Sequence, residues 1–182
     1  MNNDLKQTEK KLADAEAVQA KTQAEFAKVT VELESLDTST GDLDELVDRQ
    51  IKLGAKKTIL EQRIKLAGQA VEVLRGDVLI AKSEDAARVL DAATEKLDKA
   101  MAKARAEIMA LIADGLQPRE IQSVEGVVAI HRDVLPLIRQ REALACRARE
   151  AAGCAADVIR QRSNAEGKER AAMQEKVFAG NV

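Results

Sequence analysis

Across 182 residues, 29 basic side chains nearly balance 31 acidic ones for a net charge of −2, while 46% of the residues are hydrophobic and only 1% aromatic. That apolar content suffices for one or two cored domains and is too high for a disordered polymer. With Phe26 and Phe178 as the only aromatic residues, an all-β domain and an aromatic-lined small-molecule pocket are disfavoured, whereas abundant Ala, Leu, Glu, Lys and Arg with only two prolines is the composition of long, mutually packed helices.

The chain starts Met1-Asn-Asn-Asp-Leu-Lys6, without the basic and then apolar stretch of a secretory signal, so an intracellular, cytoplasmic protein is expected. From Asp4 to Leu36 there is no Gly or Pro. Leu5, Thr8, Leu12, Ala15, Gln19, Thr22, Phe26, Val29, Leu33 and Leu36 follow one another at alternating spacings of three and four, which predicts a helix with a heptad seam. The stretch Asp37-Thr-Ser-Thr-Gly-Asp42 collects turn formers and N-cap residues, so one helix is expected to end and another to begin there.

A second seam runs Leu43, Leu46, Gln50, Leu53, Lys57, Leu60, Ile64, Ala67, Val71 and Leu74. Folding the two helices back at the turn sets Leu36 opposite Leu43, Leu33 opposite Leu46, Phe26 opposite Leu53, Ala15 opposite Ile64 and Leu5 opposite Leu74. Every such pair joins an a to a d position, the rule for antiparallel coiled coils. The same register puts Thr22 opposite Lys57 and Val29 opposite Gln50, polar layers that read as register-setting.

Past Arg75-Gly76-Asp77 the phase of the seam is lost, and Ser83-Glu84-Asp85 resembles an N-cap with acids in the first turn. A break is expected between Gly76 and Ser83; a continuous helix with a stutter is the alternative. A third seam follows through Ala87, Leu90, Thr94, Leu97, Met101, Ala104, Ile108 and Leu111, and it should stop at Asp114-Gly115, with Pro118 in the first turn of a fourth helix. From there to Lys168, Arg replaces Lys entirely.

The fourth helix carries two apolar seams: Ile121, Val124, Val128, Leu135, Ile138 and Ala145 on one, Ile130, Leu137, Leu144, Ala151 and Val158 with Val127, Val134, Ala148 and Ala155 on the other. So wide a face needs more than one partner helix, and Pro136 is the expected site of a kink. A hairpin with the third helix would cover this face only to about Ala145. The stretch from Ala145 to Ile159 must then bury itself elsewhere, which makes Ala145, Ala148, Ala151, Ala152, Ala155, Val158 and Ile159 the candidate protein interface. Ser163-Asn164 reads as a cap before a tail, 164–182, in which a short helix would present Met173, Val177 and Phe178 to the same end. The domain reading is a helical hairpin over 1–75, a connection over 76–83, a second hairpin over 84–163, and the tail.

Motifs for chemistry are weak. Gly76-Asp-Val-Leu-Ile-Ala-Lys82-Ser83 has Ala81 where a phosphate-binding loop needs its second glycine, and no strand precedes it. The Arg75-Gly76-Asp77 tripeptide reads as a helix terminus. His131 is the only histidine, so neither a credible metal cluster nor a hydrolase triad can be assembled, and it reads as a tucked-in helical side chain opposite Met101. Cys146 and Cys154, eight residues apart on one helix, cannot bridge each other and read as reduced, packed residues. Residues 1–50 hold 12 acids and 6 bases, an asymmetry that suits alignment of neighbouring subunits or a solvated face. Acids such as Glu142 and Glu150 interrupt the Arg run of helix four and no aromatic can stack a base, so nucleic acid is not the expected partner.

The expected fold is all-α: antiparallel coiled-coil hairpins or an elongated four-helix bundle. The expected function is that of a non-enzymatic structural or assembly protein, a scaffold or adaptor acting through helix–helix contacts with itself or within a larger complex, of the sort used in virus particles or their assembly machinery. No cofactor, metal, membrane or small-molecule substrate is expected. The alternative is a small helical regulator or inhibitor that docks on one target protein.

Overall fold

A computed structural model describes residues 3–36, 43–114 and 123–179, the last six by backbone alone. Among the described residues four helices follow in order: α1 (Asn3–Glu34), α2 (Leu43–Ala113), α3 (Val124–Ile130) and α4 (Leu135–Ala179). Among the described residues there is no strand, and the fold is all-α as expected. The turn sequence Asp37–Asp42, Pro118 and Ile121 lie outside the described residues. The chain divides into two compact units, Met1–Val78 and Leu79–Val182.

In the first unit the predicted stripe of α1 is the one that is covered. All ten of its positions from Leu5 to Leu36 are buried or half-buried. Opposite them, Leu60 and Val71 of α2 are buried and Leu46, Leu53, Lys57, Ile64, Ala67 and Leu74 half-buried. Hydrocarbon removed from water along this seam is what holds the hairpin, at about 1.5–3 kcal/mol for each fully buried aliphatic side chain.

The helices run antiparallel, since Glu25 pairs with Lys56 (3.2 Å) and Glu16 with the more distant Arg75 (3.0 Å). The sliding register differs from the sequence expectation. Lys57, expected opposite Thr22, reaches Phe26, its ammonium 5.8 Å from the ring centroid, and a Cβ on Gly68 would stand 3.4 Å from the Gln19 amide nitrogen. Each partner on α2 thus lies farther from the turn than expected, and Leu43 and Gln50 are left exposed. Heptad spacing selects which faces meet but not how far one helix slides along the other. The polar seam residue Thr22 is satisfied locally, its hydroxyl donating to the Val18 carbonyl (2.8 Å).

No break occurs between Gly76 and Ser83: α2 is one helix of 71 residues. A helical glycine costs only about 1 kcal/mol, and the Ser-Glu-Asp cap signature loses to packing on both sides, with Gly76 and Val78 buried and Ser83 and Asp85 half-buried. The lost phase has another origin. The covered stripe Val71, Leu74, Val78, Ala81, Asp85 hands over to Ala86, Leu90, Ala93, Leu97, Ala100, Ala104, shifted by one residue. The third seam is accordingly only partly as expected: Leu97, Ala104 and Ile108 are buried, whereas Ala87, Met101 and Leu111 are exposed.

The second unit packs α3 and α4 against the C-terminal part of α2. Its core is Leu97, Ala104, Ile108, Val128 and Val134, flanked by Ala100, Ile112, Val124, Val127, Leu137 and Ile138. Val134 is fully buried at 0% exposure. Ser123 caps α3, its hydroxyl oxygen accepting from the Gly126 N–H (3.0 Å). Instead of a kink at Pro136 the chain turns a corner: α3 stops at Ile130 and α4 starts at Leu135. Proline in the first turn of α4 lacks only a donor that has no helical partner there. The corner is held by the Val134 and Leu135 N–H groups, both donating to the His131 carbonyl (2.9 Å each). At the other end, Ser163-Asn164 caps nothing, because α4 continues through it to Ala179.

Candidate interaction surface

The stretch nominated from sequence lies on α4, and the structure divides it. Ala145 and Ala148 are half-buried and, with Arg149 and the exposed Ala152, line a shallow groove whose other wall is Ser83, Ala87, Leu90 and Asp91 of α2. Ala155 is buried, Ala151 and Val158 half-buried. The helical partner of Ala145 to Ala152 is therefore the start of the expected third helix, Ala87 to Asp91, together with Ser83 at the end of the expected connection. Beyond it the character changes. Ile159 is 53% and Met173 70% exposed, and from Ser163 to Met173 every side chain is exposed. Val177 and Phe178 fall in α4, but their side chains lie outside the described residues.

Neither cysteine is packed: Cys146 and Cys154 are free and exposed, on the side of α4 away from Ala148 and Ala155. The hairpin of α2 and α4 is pinned by polar contacts at its rim. Arg141 Nε donates to the Thr94 hydroxyl (3.3 Å), which itself donates to the Leu90 carbonyl (2.9 Å). Arg105 reaches Glu125 of α3 at 2.8 Å. Beside that pair, Met101, Ala102, Ala106, Met109 and Val128 form an open apolar groove of about 540 Å³. Methionines suit such a surface because an unbranched thioether adapts to many shapes.

His131 is not helical but closes α3 as its C-cap. Its Nδ1 accepts from the Asp133 N–H (3.3 Å), leaving Nε2 toward Glu107 at 3.7 Å. It faces Glu107 rather than Met101, so it ties the corner to α2. Among the described residues no group of three His, Cys, Asp or Glu could hold a metal ion. The interior helical setting of Gly76 to Ser83 leaves no loop to wrap a phosphate, since helical N–H groups are spent on the helix. Displaced ionisations sit in surface ion pairs. The hydrogen bond to Glu16 raises the Arg75 pKa, and the hydrogen bond from Lys99 lowers that of Glu95.

One surface went unremarked in the sequence. Ile59, Leu66 and Val73 of α2 recur every seven residues and are 51%, 65% and 54% exposed. Counting back from Leu97 and Leu90 in alternating threes and fours reaches Val73, Leu66 and Ile59, so the signal was present as a second stripe beside the first. Among the described residues no helix is long and apolar enough to cross a membrane. Comparisons with protein-family models, with curated proteins and with solved structures find no match.

Proposed function

We propose that the chain is a non-enzymatic coiled-coil scaffold or adaptor, an assembly protein that works through helix–helix contacts and uses the outer end of α4 to dock on another protein. The carrying observation is the run from Ser163 to Met173, exposed on every side although the helix continues to Ala179. A helical segment without tertiary contacts is marginal in water, and Ile159 and Met173 supply it with apolar anchors that nothing in their own unit covers. The outward part of the interface nominated from sequence, Ala152, Ile159 and Met173, belongs to this reading, and Val177 and Phe178, nominated with it, follow in the same helix. So does the setting: cytoplasm, or a virus particle or its assembly machinery.

The test is the full chain carrying Ile159→Glu and Met173→Glu together. Both sites are exposed, so helicity and melting temperature should stay at the wild-type values while recovery of the native complex falls away. Recovery of the same complex by the double variant would overturn the reading. Capture of one stoichiometric partner by a monomeric chain would replace the scaffold with the helical regulator.

A further inference from the structure

The first unit leaves a stripe of α2 uncovered that its own partner, α1, cannot reach. Ile59, Gln62, Leu66, Gln69 and Val73 follow at spacings of three and four, all exposed and none charged. α1 occupies the neighbouring stripe of Leu60, Ile64, Ala67 and Val71. The uncovered stripe continues, at the same alternating spacing, into Leu90, Leu97, Ala104 and Ile108. There it meets helical partners, for Leu97, Ala104 and Ile108 form the core with Val128 and Val134.

The flanking charges select the occupant. We propose that the stripe docks a second copy of this chain, with the two α2 helices antiparallel about a twofold axis and Leu66 level with Gln69 of the second copy. In that register Lys65 stands beside Glu72 of the second copy, and by symmetry Glu72 beside its Lys65. Arg63 faces the neutral Ala70. Sliding by one heptad toward the turn brings Lys65 onto Lys65 and Arg63 onto Arg63; sliding the other way brings Glu72 onto Glu72 and leaves Lys65 beside the apolar Leu79, with Arg63 beside Asp77 as its one favourable pairing. Parallel pairing sets Glu72 beside Asp77. Opposite charges across a two-helix seam fix orientation and register, and like charges penalise the rivals. Glu72 already accepts from Arg75 one turn away (3.1 Å) but keeps most of its carboxylate in water, so the lysine of a second copy can join it. Glutamines alternating with Leu and Val make the seam weak and reversible, a coupling between scaffold units.

This inference rests on the self-assembly side of the proposed function but not on the end of α4. The full chain should sediment as a concentration-dependent dimer in the micromolar range. Leu66→Glu should raise the dissociation constant by more than about tenfold with helicity and melting temperature of the dilute chain unchanged. Lys65→Glu and Glu72→Lys should each weaken the dimer about threefold or more, and the double exchange should restore it. A chain that stays monomeric, or a dimer indifferent to Leu66→Glu, overturns the proposal; a dimer that Leu66→Glu breaks but the double exchange fails to restore overturns the antiparallel register. The Ile159→Glu, Met173→Glu variant should dimerise normally, so loss of partner docking with retained dimerisation separates failure of the two readings.

Discussion

The two units use the same helix in different ways. In Met1–Val78 one partner, α1, covers one stripe of α2, and the buried apolar side chains among the described residues are Leu5, Val29, Leu60, Val71 and Val78. In Leu79–Val182 the helix has α3 as well as α4 against it and a contiguous core closes around Val134. Two helices in contact can each hide only a narrow seam, whereas a third element converts a seam into an interior. The difference teaches that a third element closes a core without using up the apolar surface: large apolar side chains stay exposed in both units, Ile59, Leu66 and Val73 in the first and Met109, Ile130 and Ile159 in the second.

Core truncation should expose this contrast most strongly. Leu97→Ala removes a side chain from the closed cluster and should cost about 3–4 kcal/mol, transfer plus cavity, in urea unfolding. Leu60→Ala should cost about 2 kcal/mol: Leu60 is itself buried, but with one partner helix the neighbouring side chains can close over the gap and the cavity contribution fades. Equal losses at the two sites would mean that the seam of the first unit is as tightly closed as the core of the second.

A smaller effect is expected at the start of α3. With only seven residues, Val124–Ile130, that helix has few bonds of its own, so its capping contact matters. Ser123→Ala should lower stability by about 1 kcal/mol, with hydrogen exchange rising first at Gly126 and Val127. Uniform protection across the second unit would show that α3 is held by Val128 packing alone.

How much of this was legible in the sequence depends on which signals compete. In α1 no Gly or Pro disturbs the heptads, and every seam position from Leu5 to Leu36 is covered. At Gly76 to Ser83 a local glycine and a cap-like Ser-Glu-Asp opposed continuity, and the packing that overrides them is a tertiary property no local pattern displays. At the candidate site the reach of the second hairpin was the uncertain quantity: the third helix was expected to cover the fourth only to about Ala145, yet Ser83, Ala87 and Leu90 line one groove with Ala148 and Ala152. At Pro136 the local rule was right in kind, since proline marks a helix start as well as a kink, and only the corner contacts of His131 decide between them. The exposed Ile59, Leu66 and Val73 were readable as periodicity, but periodicity cannot say which of two stripes has a partner.

Glycines in helix interiors give a finer comparison of the units. At Gly54 and Gly153 an added Cβ would meet nothing within 4 Å. Replacing either by Ala should stabilise the isolated chain by about 0.5–1 kcal/mol, through backbone entropy alone. The two gains should match, since neither depends on the packing that distinguishes the units. A gain at Gly54 but a loss of complex formation on Gly153→Ala would place a closely approaching partner on the outer side of α4.

The smallest expected effect concerns ion pairs, and there too the units differ. In the first, Arg75 bridges α2 to α1 through Glu16, and that contact raises the pKa of a guanidinium that is charged throughout the working range. In the second, Lys99 and Glu95 pair within one helix at 2.6 Å, and the hydrogen bond from Lys99 followed by its charge lowers the Glu95 pKa. A carboxylate whose folded pKa is depressed contributes stability above the ordinary carboxylate range and loses it as pH falls through the folded value. The difference in melting temperature between the wild type and Glu95→Gln should therefore be constant near neutral pH and vanish on acidification, and high salt should shrink it at every pH because the pair is fully exposed. A difference that persisted below the carboxylate range would have to come from helix propensity at position 95 and not from the pair.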